Sequence, residues 1–155
     1  MAVDTTTISI SDVKALAGFT QKLASVLHPG DVLALNGPLG AGKTTLVQHL
    51  GPVLGVAERI VSPTFVLIHD YVSGRMPLVH IDFYRLGPEN ADSIADEVLS
   101  IIHEGKSILI VEWAEYGEWL SPFVTVKLDI AVTGENSRDI VLTAARPEVL
   151  QGVLA

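Results

Sequence analysis

The most distinctive chemistry in this chain lies in residues 37–44, which read Gly-Pro-Leu-Gly-Ala-Gly-Lys-Thr. This is the spacing of a phosphate-binding loop, in which a glycine and four further residues precede Gly-Lys-Ser/Thr. The glycines permit positive-φ backbone conformations, so that N–H groups turn inward around an anion. Lys43 would place a positive charge on the β- and γ-phosphates, and the Thr44 hydroxyl would ligate Mg²⁺. The predicted nucleotide-binding residues of this segment are Gly37, Pro38, Leu39, Gly40, Ala41, Gly42, Lys43, Thr44 and Thr45.

Two carboxylates follow apolar segments and suit a metal-dependent reaction on a bound nucleotide. Leu-Val-His-Ile leads to Asp82, and Ile-Leu-Ile-Val leads to Glu112. Ligands of α/β sheets bind at the carboxyl ends of the strands, so both acids are predicted to lie near the loop. One would hold Mg²⁺ together with Thr44, and the other would orient the attacking water. We therefore predict a catalytic group of Lys43, Asp82 and Glu112 and leave the division between the two acids open.

Three further features have two interpretations each. Ser62-Pro63-Thr64 resembles a switch loop whose hydroxyls sense a γ-phosphate or Mg²⁺, but it also reads as a turn in an edge strand. Trp113 is suited to stacking on a base or a partner side chain, although a core aromatic is the commoner role. His80 alternates with apolar neighbours, which is typical of a strand histidine with satisfied hydrogen bonds rather than of a catalyst. The histidines show no metal-ligand spacing.

The elements that must position these residues are predicted from apolar periodicity and turn residues. The loop lies between a buried strand at 31–36 and a helix with apolar positions from Leu46 to Leu54 that stops at Gly55. The other predicted elements are a strand at 5–10, a helix capped by Ser11-Asp12, a hairpin over 65–82, a helix from Pro88-Glu89 to Gly105, a strand at 107–111, and a closing hairpin of 124–132 and 138–143. Together they predict a three-layer α/β domain of the P-loop NTPase type, with a mixed central sheet flanked by helices.

Length and composition restrict the possibilities further. The 155 residues suit a single domain over 1–155, and 48% hydrophobic residues can fill its core. The chain has no cysteine, which excludes a disulfide framework and thiol chemistry. Neither a signal peptide nor a membrane span is evident, so we expect a soluble cytoplasmic protein without a membrane partner. A formal charge of −8 disfavours direct binding to nucleic acid and favours a protein partner.

Four segments together resemble one protein family. They are the loop continued to Thr45, Ser-Pro-Thr-Phe at 62–65, His-Ile-Asp-Phe-Tyr-Arg-Leu at 80–86, and Val-Glu-Trp at 111–113. In order and spacing they resemble the bacterial tRNA threonylcarbamoyladenosine biosynthesis ATPases of the TsaE family, over nearly the whole chain. The resemblance implies an ATPase that binds the partner proteins TsaB and TsaD and hydrolyses ATP to reset them. It implies contact with tRNA only indirectly, through that complex.

The resemblance also implies roles for particular residues. Lys43 would contact phosphates, Thr44 and Glu112 would hold Mg²⁺, and Asp82 would support hydrolysis. The remaining implied nucleotide-site residues are Thr64 in the switch, Arg138, and Asp12 with its surrounding segment. The chain departs from the usual family pattern at Pro38, Ala95 and Ala114, where Asp, Gly and Pro are frequent.

Two other functions remain compatible with the loop. A P-loop small-molecule kinase would need an acceptor pocket and an arginine-rich lid, whereas the arginines at 59, 75, 85, 138 and 146 do not cluster. An ATP-gated binding module would have only incidental turnover. A GTPase is disfavoured because the Asn/Thr-Lys-x-Asp guanine reader does not occur in the sequence, and a transporter ATPase because a Ser-Gly-Gly signature does not.

Overall fold

The computed structural model of this chain describes residues 3–62 and 66–155. Its strands are β1 (Asp4–Ile10), β2 (Val32–Asn36), β3 (Ile68–Tyr71), β4 (Leu78–Asp82), β5 (Ile108–Glu112), β6 (Val126–Val132) and β7 (Arg138–Ala144). Its helices are α1 (Val13–Val26), α2 (Lys43–Val53), α3 (Ala95–Glu104) and α4 (Pro147–Leu154). Within the described residues the strands form one seven-stranded sheet in the order β1-β7-β6-β2-β5-β4-β3.

The sheet is mixed, as the sequence predicts. Strand β2 runs parallel to β5 and β6, and β4 runs parallel to β5. Strands β3 and β7 pair antiparallel with their neighbours, so the predicted hairpins are present as β3–β4 and β6–β7. The parallel strands β2, β5 and β4 therefore end at the same edge of the sheet.

Two hydrophobic cores cover opposite faces of the central strands. On β2, Leu33 and Leu35 belong to one core and Val32 and Ala34 to the other, so the strand is buried on both faces. The first core packs under α1, α2 and α4; the second packs under α3 and the 3-10 turns near residues 91–94 and 118–123. None of the described residues of β1, β6 or β7 belongs to the second core. The predicted three layers are thus complete over β2, β5 and β4 but not over β1, β6 and β7.

Two predicted helix boundaries are confirmed, namely the start of α1 and the end of α2. Asp12 is the N-cap of α1, and its carboxylate accepts a 2.8 Å hydrogen bond from the backbone N–H of Ala15. Helix α2 ends at Val53, and Gly55 follows with a φ of 86°. That left-handed conformation suits glycine, which confirms Gly55 as the stop signal.

The acidic helix predicted from Pro88 begins later than expected. Residues Ala91–Ile94 form a 3-10 turn, and the α-helix starts at Ala95 and ends before Gly105. Backbone bonds from Asn90 to Gly87 and from Ser93 to Asn90 span three residues, so the chain enters with the tighter 3-10 spacing. Ala91 and Ile94, three residues apart, are both buried, and their packing favours that period.

Helix α4 has no counterpart among the predicted elements. The signals for it were nevertheless in the sequence, because Pro147 stands in the first helical turn and Val149 and Val153 recur four residues apart. Both valines are buried against the first core. Among the described residues, no helix is long and apolar enough to span a bilayer.

Candidate functional site

The phosphate-binding loop connects β2 to α2 with the backbone conformations that its glycines were predicted to supply. Gly37, Gly40 and Gly42 have φ values of 153°, 81° and 98°. No side chain caps the amino end of α2, so its first-turn N–H groups are available to an anion. The loop also packs tightly on β6, since a Cβ on Gly37 would lie 2.8 Å from the carbonyl oxygen of Ile130.

Lys43 is buried and held by the loop itself. Its ammonium group donates to the carbonyl oxygens of Gly37 at 2.5 Å and of Pro38 at 3.0 Å. It also lies 3.9 Å from the centroid of the Trp113 ring, within cation–π range. Burial lowers the pKa of Lys43, and the carboxylates of Glu115, Glu112 and Asp82 oppose that shift. The loop thus keeps a cation poised beside the place where a phosphate would lie.

Thr44 and Glu112 form a pair of oxygen donors at the amino end of α2. The Thr44 hydroxyl is 2.8 Å from Oε1 and 3.0 Å from Oε2 of Glu112, which is only 2% exposed. Mg²⁺ prefers oxygen ligands and commonly takes one or two from the protein, with water and phosphate oxygens completing the shell. Within residues 3–62 and 66–155, no three His, Cys, Asp or Glu side chains cluster to hold a metal alone. The donor set fits a nucleotide-bound Mg²⁺ rather than an all-protein metal cage.

Asp82 stands beside Glu112 because β4 and β5 pair in parallel register at these two residues. Its carboxylate accepts a 2.9 Å hydrogen bond from the backbone N–H of Tyr84. Burial raises the pKa of Asp82 and the neighbouring Glu112 raises it further, against opposing contributions from the Tyr84 N–H, His80 and Lys43. An aspartate with a raised pKa is a better proton acceptor than an exposed one.

All four of these side chains line one cavity of about 740 Å³. Sequence reasoning did not propose Arg85 for the site, although it stands three residues after Asp82 in the 80–86 segment. The cavity is lined by Leu39, Gly40, Gly42, Lys43, Thr44, Thr45, Ser62, Asp82, Tyr84, Arg85, Glu112 and Trp113. The structure therefore brings the predicted phosphate, metal and hydrolysis residues to the same edge of the sheet.

Arg138 and Asp12 lie on the other side of the loop, around a second cavity of about 150 Å³ that also includes Ala41, Gly42 and Thr45. The Arg138 guanidinium donates to the carbonyl oxygens of Ala41 at 2.9 Å and Gly40 at 3.2 Å. It donates as well to the carbonyl oxygens at 134 and 137. These contacts direct Arg138 to the loop backbone, so its support of the nucleotide would act through the loop.

Three features with two interpretations have different outcomes. Thr64 and its neighbours at 63 and 65 lie outside the described residues, so the switch remains a prediction. Trp113 adopts a left-handed backbone conformation with a φ of 56°. Its ring packs against Tyr84 and lines the large cavity, so Trp113 is only partly a core residue. His80, expected to be a strand histidine with satisfied hydrogen bonds, is satisfied at one nitrogen only. Its Nε2 lies 2.5 Å from Oε2 of Glu112, but the buried Nδ1 has no hydrogen-bond partner among the described residues.

Comparisons with known proteins agree on one family. Residues 10–140 match the family model described as "Threonylcarbamoyl adenosine biosynthesis protein TsaE". The chain is 38% identical to the tRNA threonylcarbamoyladenosine biosynthesis protein TsaE of Bacillus subtilis, over 89% of this chain and 83% of that protein. It is 40% identical to the protein of the same name from Nostoc, over 90% of this chain and 88% of that one.

A solved structure supports the fold as well. The crystal structure of YdiB from Bacillus subtilis superposes with a TM-score of 0.74 at 26% sequence identity, covering 98% of this chain and 93% of that one. The family match spans the phosphate-binding loop, both strand-end acids and Arg138. This chain therefore belongs to the TsaE family of tRNA threonylcarbamoyladenosine biosynthesis proteins.

Proposed function

We propose that this protein is a Mg²⁺-dependent ATPase that binds a TsaB–TsaD complex in the cytoplasm and hydrolyses ATP to reset it. The observation that carries the proposal is the convergence of Lys43, Thr44, Asp82 and Glu112 on one cavity beside the phosphate-binding loop. Family membership supports a role in tRNA modification. In this proposal the tRNA is contacted only through the partner complex.

The chain's own groups divide the work of hydrolysis. The loop N–H groups and Lys43 bind the phosphates, for which Lys43 exchanges its carbonyl partners at 37 and 38. Thr44 and Glu112 hold Mg²⁺, which when bound neutralises charge on the β- and γ-phosphate oxygens. Asp82 orients the attacking water and accepts its proton, a role suited to its raised pKa.

The second cavity supplies a place for the adenine. It lies across the loop from the acids and combines an apolar wall that includes Ile10, Val13 and Leu16 with polar groups at Asp12 and Arg138. An aromatic base suits such a mostly apolar pocket with a few polar groups at its edge. Placing the base there puts the phosphates along the loop and the γ-phosphate toward Asp82 and Glu112.

The function is tested by measuring ATP hydrolysis by this protein alone and with the TsaB–TsaD pair, and by following tRNA modification over several turnovers. We expect the partners to stimulate hydrolysis, and repeated turnover to require this chain. Modification that continues unchanged without it would refute the reset role. Phosphate transfer to a small acceptor would favour the kinase, and nucleotide-dependent assembly without hydrolysis would favour an ATP-gated module.

The division of roles between the acids is tested with Glu112→Gln and Asp82→Asn. Glu112→Gln should weaken Mg²⁺ binding to the nucleotide complex, because the buried metal-ligand carboxylate is lost. Asp82→Asn should retain Mg²⁺ and nucleotide binding and lose turnover, by about 10²–10⁴-fold if it acts as general base. Glu104→Gln, at the exposed end of α3, is the matched control. The reverse pattern would mean that the two acids exchange roles.

A further inference from the structure

His80 is a polar residue at a fully buried position of a strand. It lies in the middle of β4 with 0% exposure, and it is in register with Ile110 on β5. Alternation along β4 places its side chain on the same face as Leu78 and Asp82. The preceding residue on that face, Leu78, and the residue opposite His80, Ile110, both belong to the first core.

The only polar partner of this imidazole among the described residues is the candidate metal ligand. Its Nε2 lies 2.5 Å from Oε2 of Glu112, and its Nδ1 is buried without a partner. A carboxylate only accepts hydrogen bonds, so Nε2 must carry the hydrogen in this contact. A buried nitrogen without a partner destabilises the fold, whereas leucine at this position would avoid that cost. Packing alone therefore does not account for a histidine here.

The contact distinguishes between the two oxygens of the Glu112 carboxylate. The Thr44 hydroxyl lies near both of its oxygens, at 2.8 Å and 3.0 Å, and does not by itself select one orientation. The hydrogen bond from His80 goes to Oε2, whereas Oε1 makes the shorter of the two contacts with Thr44. Outer hydrogen bonds of this kind orient metal ligands in many sites.

We propose that His80 is a positioning residue, whose Nε2–H donor holds Glu112 in the orientation that binds the nucleotide-associated divalent cation. The inference rests on the proposed Mg²⁺-dependent function, because it assigns Glu112 to the metal. His80 does not touch the nucleotide in this scheme. It acts only through the Glu112 carboxylate.

The test uses the full chain and two substitutions, His80→Gln and His80→Asn, whose amide side chains differ in length. The Gln side chain can place an N–H near the position of Nε2, whereas the shorter Asn cannot. Mn²⁺ is titrated into the protein saturated with ADP, free Mn²⁺ is measured by electron paramagnetic resonance, and ADP affinity is measured separately with a chelator present. We expect His80→Asn to weaken Mn²⁺ binding by about 10–100-fold and His80→Gln to restore most of it. ADP affinity without a cation should be unchanged in both.

Two further measurements separate positioning from a structural role. In a Glu112→Gln background, His80→Asn should cause no additional loss of Mn²⁺ affinity, because the group through which it acts has been altered. His80→Leu removes both the unpartnered nitrogen and the donor to Glu112, so it should weaken Mn²⁺ binding in protein that thermal unfolding shows to be folded. The Leu and Gln variants decide the question if the Asn variant fails to fold.

Different failures have different meanings. Unchanged Mn²⁺ affinity in folded His80→Asn or His80→Leu would overturn the inference and leave the proposed function intact. A loss in His80→Gln as large as in His80→Asn would overturn the assigned donor. A wild-type ADP complex that binds no Mn²⁺ would overturn the metal site, and this inference with it.

Discussion

At the scale of single residues, the two buried charged groups of the large cavity, Lys43 and Glu112, each have partners that a nucleotide would replace or join. The Lys43 ammonium group donates to two loop carbonyls and lies over the Trp113 ring. Glu112 is shared between Thr44 and His80. Such prior contacts keep the groups close to a working geometry, so less reorganisation is needed when the ligand arrives.

Lys43→Ala removes the cation that the loop holds. Loss of the ammonium group should weaken ATP binding about 10–100-fold, since a hydrogen bond to a charged group contributes about 1.5–3 kcal/mol. Calorimetric titration of ATP measures the effect. Lys22→Ala, which removes an exposed lysine from α1, is the matched control. Equal ATP affinity in the two variants would contradict the assignment of residues 37–44 as a phosphate-binding loop.

The raised pKa of Asp82 makes the stability of the protein depend on pH. In the folded state this carboxyl keeps its proton to a higher pH than in the unfolded state, where its pKa is near 3.8. The wild type should therefore lose stability as pH rises from that value through the raised folded pKa, and the loss is reduced by solvent screening because the carboxyl is only half-buried. Asp82→Asn has no such charge, so its stability relative to wild type should increase from pH 4 to pH 7. Urea unfolding at both pH values tests this, and an equal difference at both would contradict it.

At the scale of elements, the loop is fixed from both sides. Gly37 packs against β6, and Arg138 at the start of β7 donates to the carbonyl oxygens of Gly40 and Ala41. The closing hairpin β6–β7 thus supports the loop, although it contributes no residue to the large cavity. A change in this hairpin should alter nucleotide binding indirectly.

The substitutions Gly37→Ala and Gly40→Ala together test how firmly the packing on β6 holds the loop. Both positions have positive φ, so both variants are strained, by about 1–2 kcal/mol where the conformation is left-handed. A Cβ at Gly37 would also lie 2.8 Å from the carbonyl oxygen of Ile130, whereas one at Gly40 meets nothing within 4 Å. Gly37→Ala should therefore lose about 1–3 kcal/mol more of its unfolding free energy than Gly40→Ala. Equal losses of unfolding free energy in chemical denaturation would show that the loop backbone can shift to relieve the close contact with Ile130.

Asp31 joins several elements on the opposite edge of the sheet. Its buried carboxylate accepts a bidentate interaction from Arg146, just before α4, and hydrogen bonds from the His28 N–H and the Thr125 hydroxyl. Arg146 also donates to the carbonyl oxygen of Val26 in α1. Burial alone would raise the pKa of Asp31, but these partners outweigh it and lower the pKa.

Arg146→Ala should lower the unfolding free energy by about 3 kcal/mol at neutral pH, because it leaves a buried carboxylate without its ion pair. In the wild type, the Asp31 contribution is present above its unfolded pKa of 3.8 and is lost as pH falls through its lower folded value. The difference in unfolding free energy between the wild type and Arg146→Ala should therefore become smaller as the pH falls. Thermal unfolding from pH 7 to pH 3 measures this, with exposed Arg59→Ala as control. A difference independent of pH would contradict the ion-pair account.

At the scale of the whole molecule, the charge decides what the protein can bind by itself. Eighteen acidic and ten basic residues leave a formal charge of −8, which repels the phosphates of RNA. Filter binding at physiological salt should show no tight complex between tRNA and the purified protein. The same tRNA with the TsaB–TsaD complex is the positive control. Nanomolar binding by this chain alone would argue against a purely protein-mediated role.

Local signals predicted most of the fold. Alternating apolar residues, the glycines and the Asp12 cap indicated the strands and helices around the loop, and these are confirmed with small shifts of their ends. The late start of α3 depends on burial of Ala91 and Ile94, which propensity does not reveal. Helix α4 was missed even though its proline and valine signals are local. It is a short helix that packs under the first core, and periodicity over so few residues is a weak signal.

By itself, the sequence predicted the phosphate-binding motif at 37–44, the mixed α/β fold and the position of the two acids at strand ends, because each depends on residues close together in the chain. Tertiary structure alone decided that Asp82 and Glu112 stand side by side, that Arg138 supports the loop, and that His80 contacts Glu112. These contacts join residues 30 or more positions apart along the chain. They depend on which strands pair and in which register, and that choice is made by packing the whole sheet between its two cores.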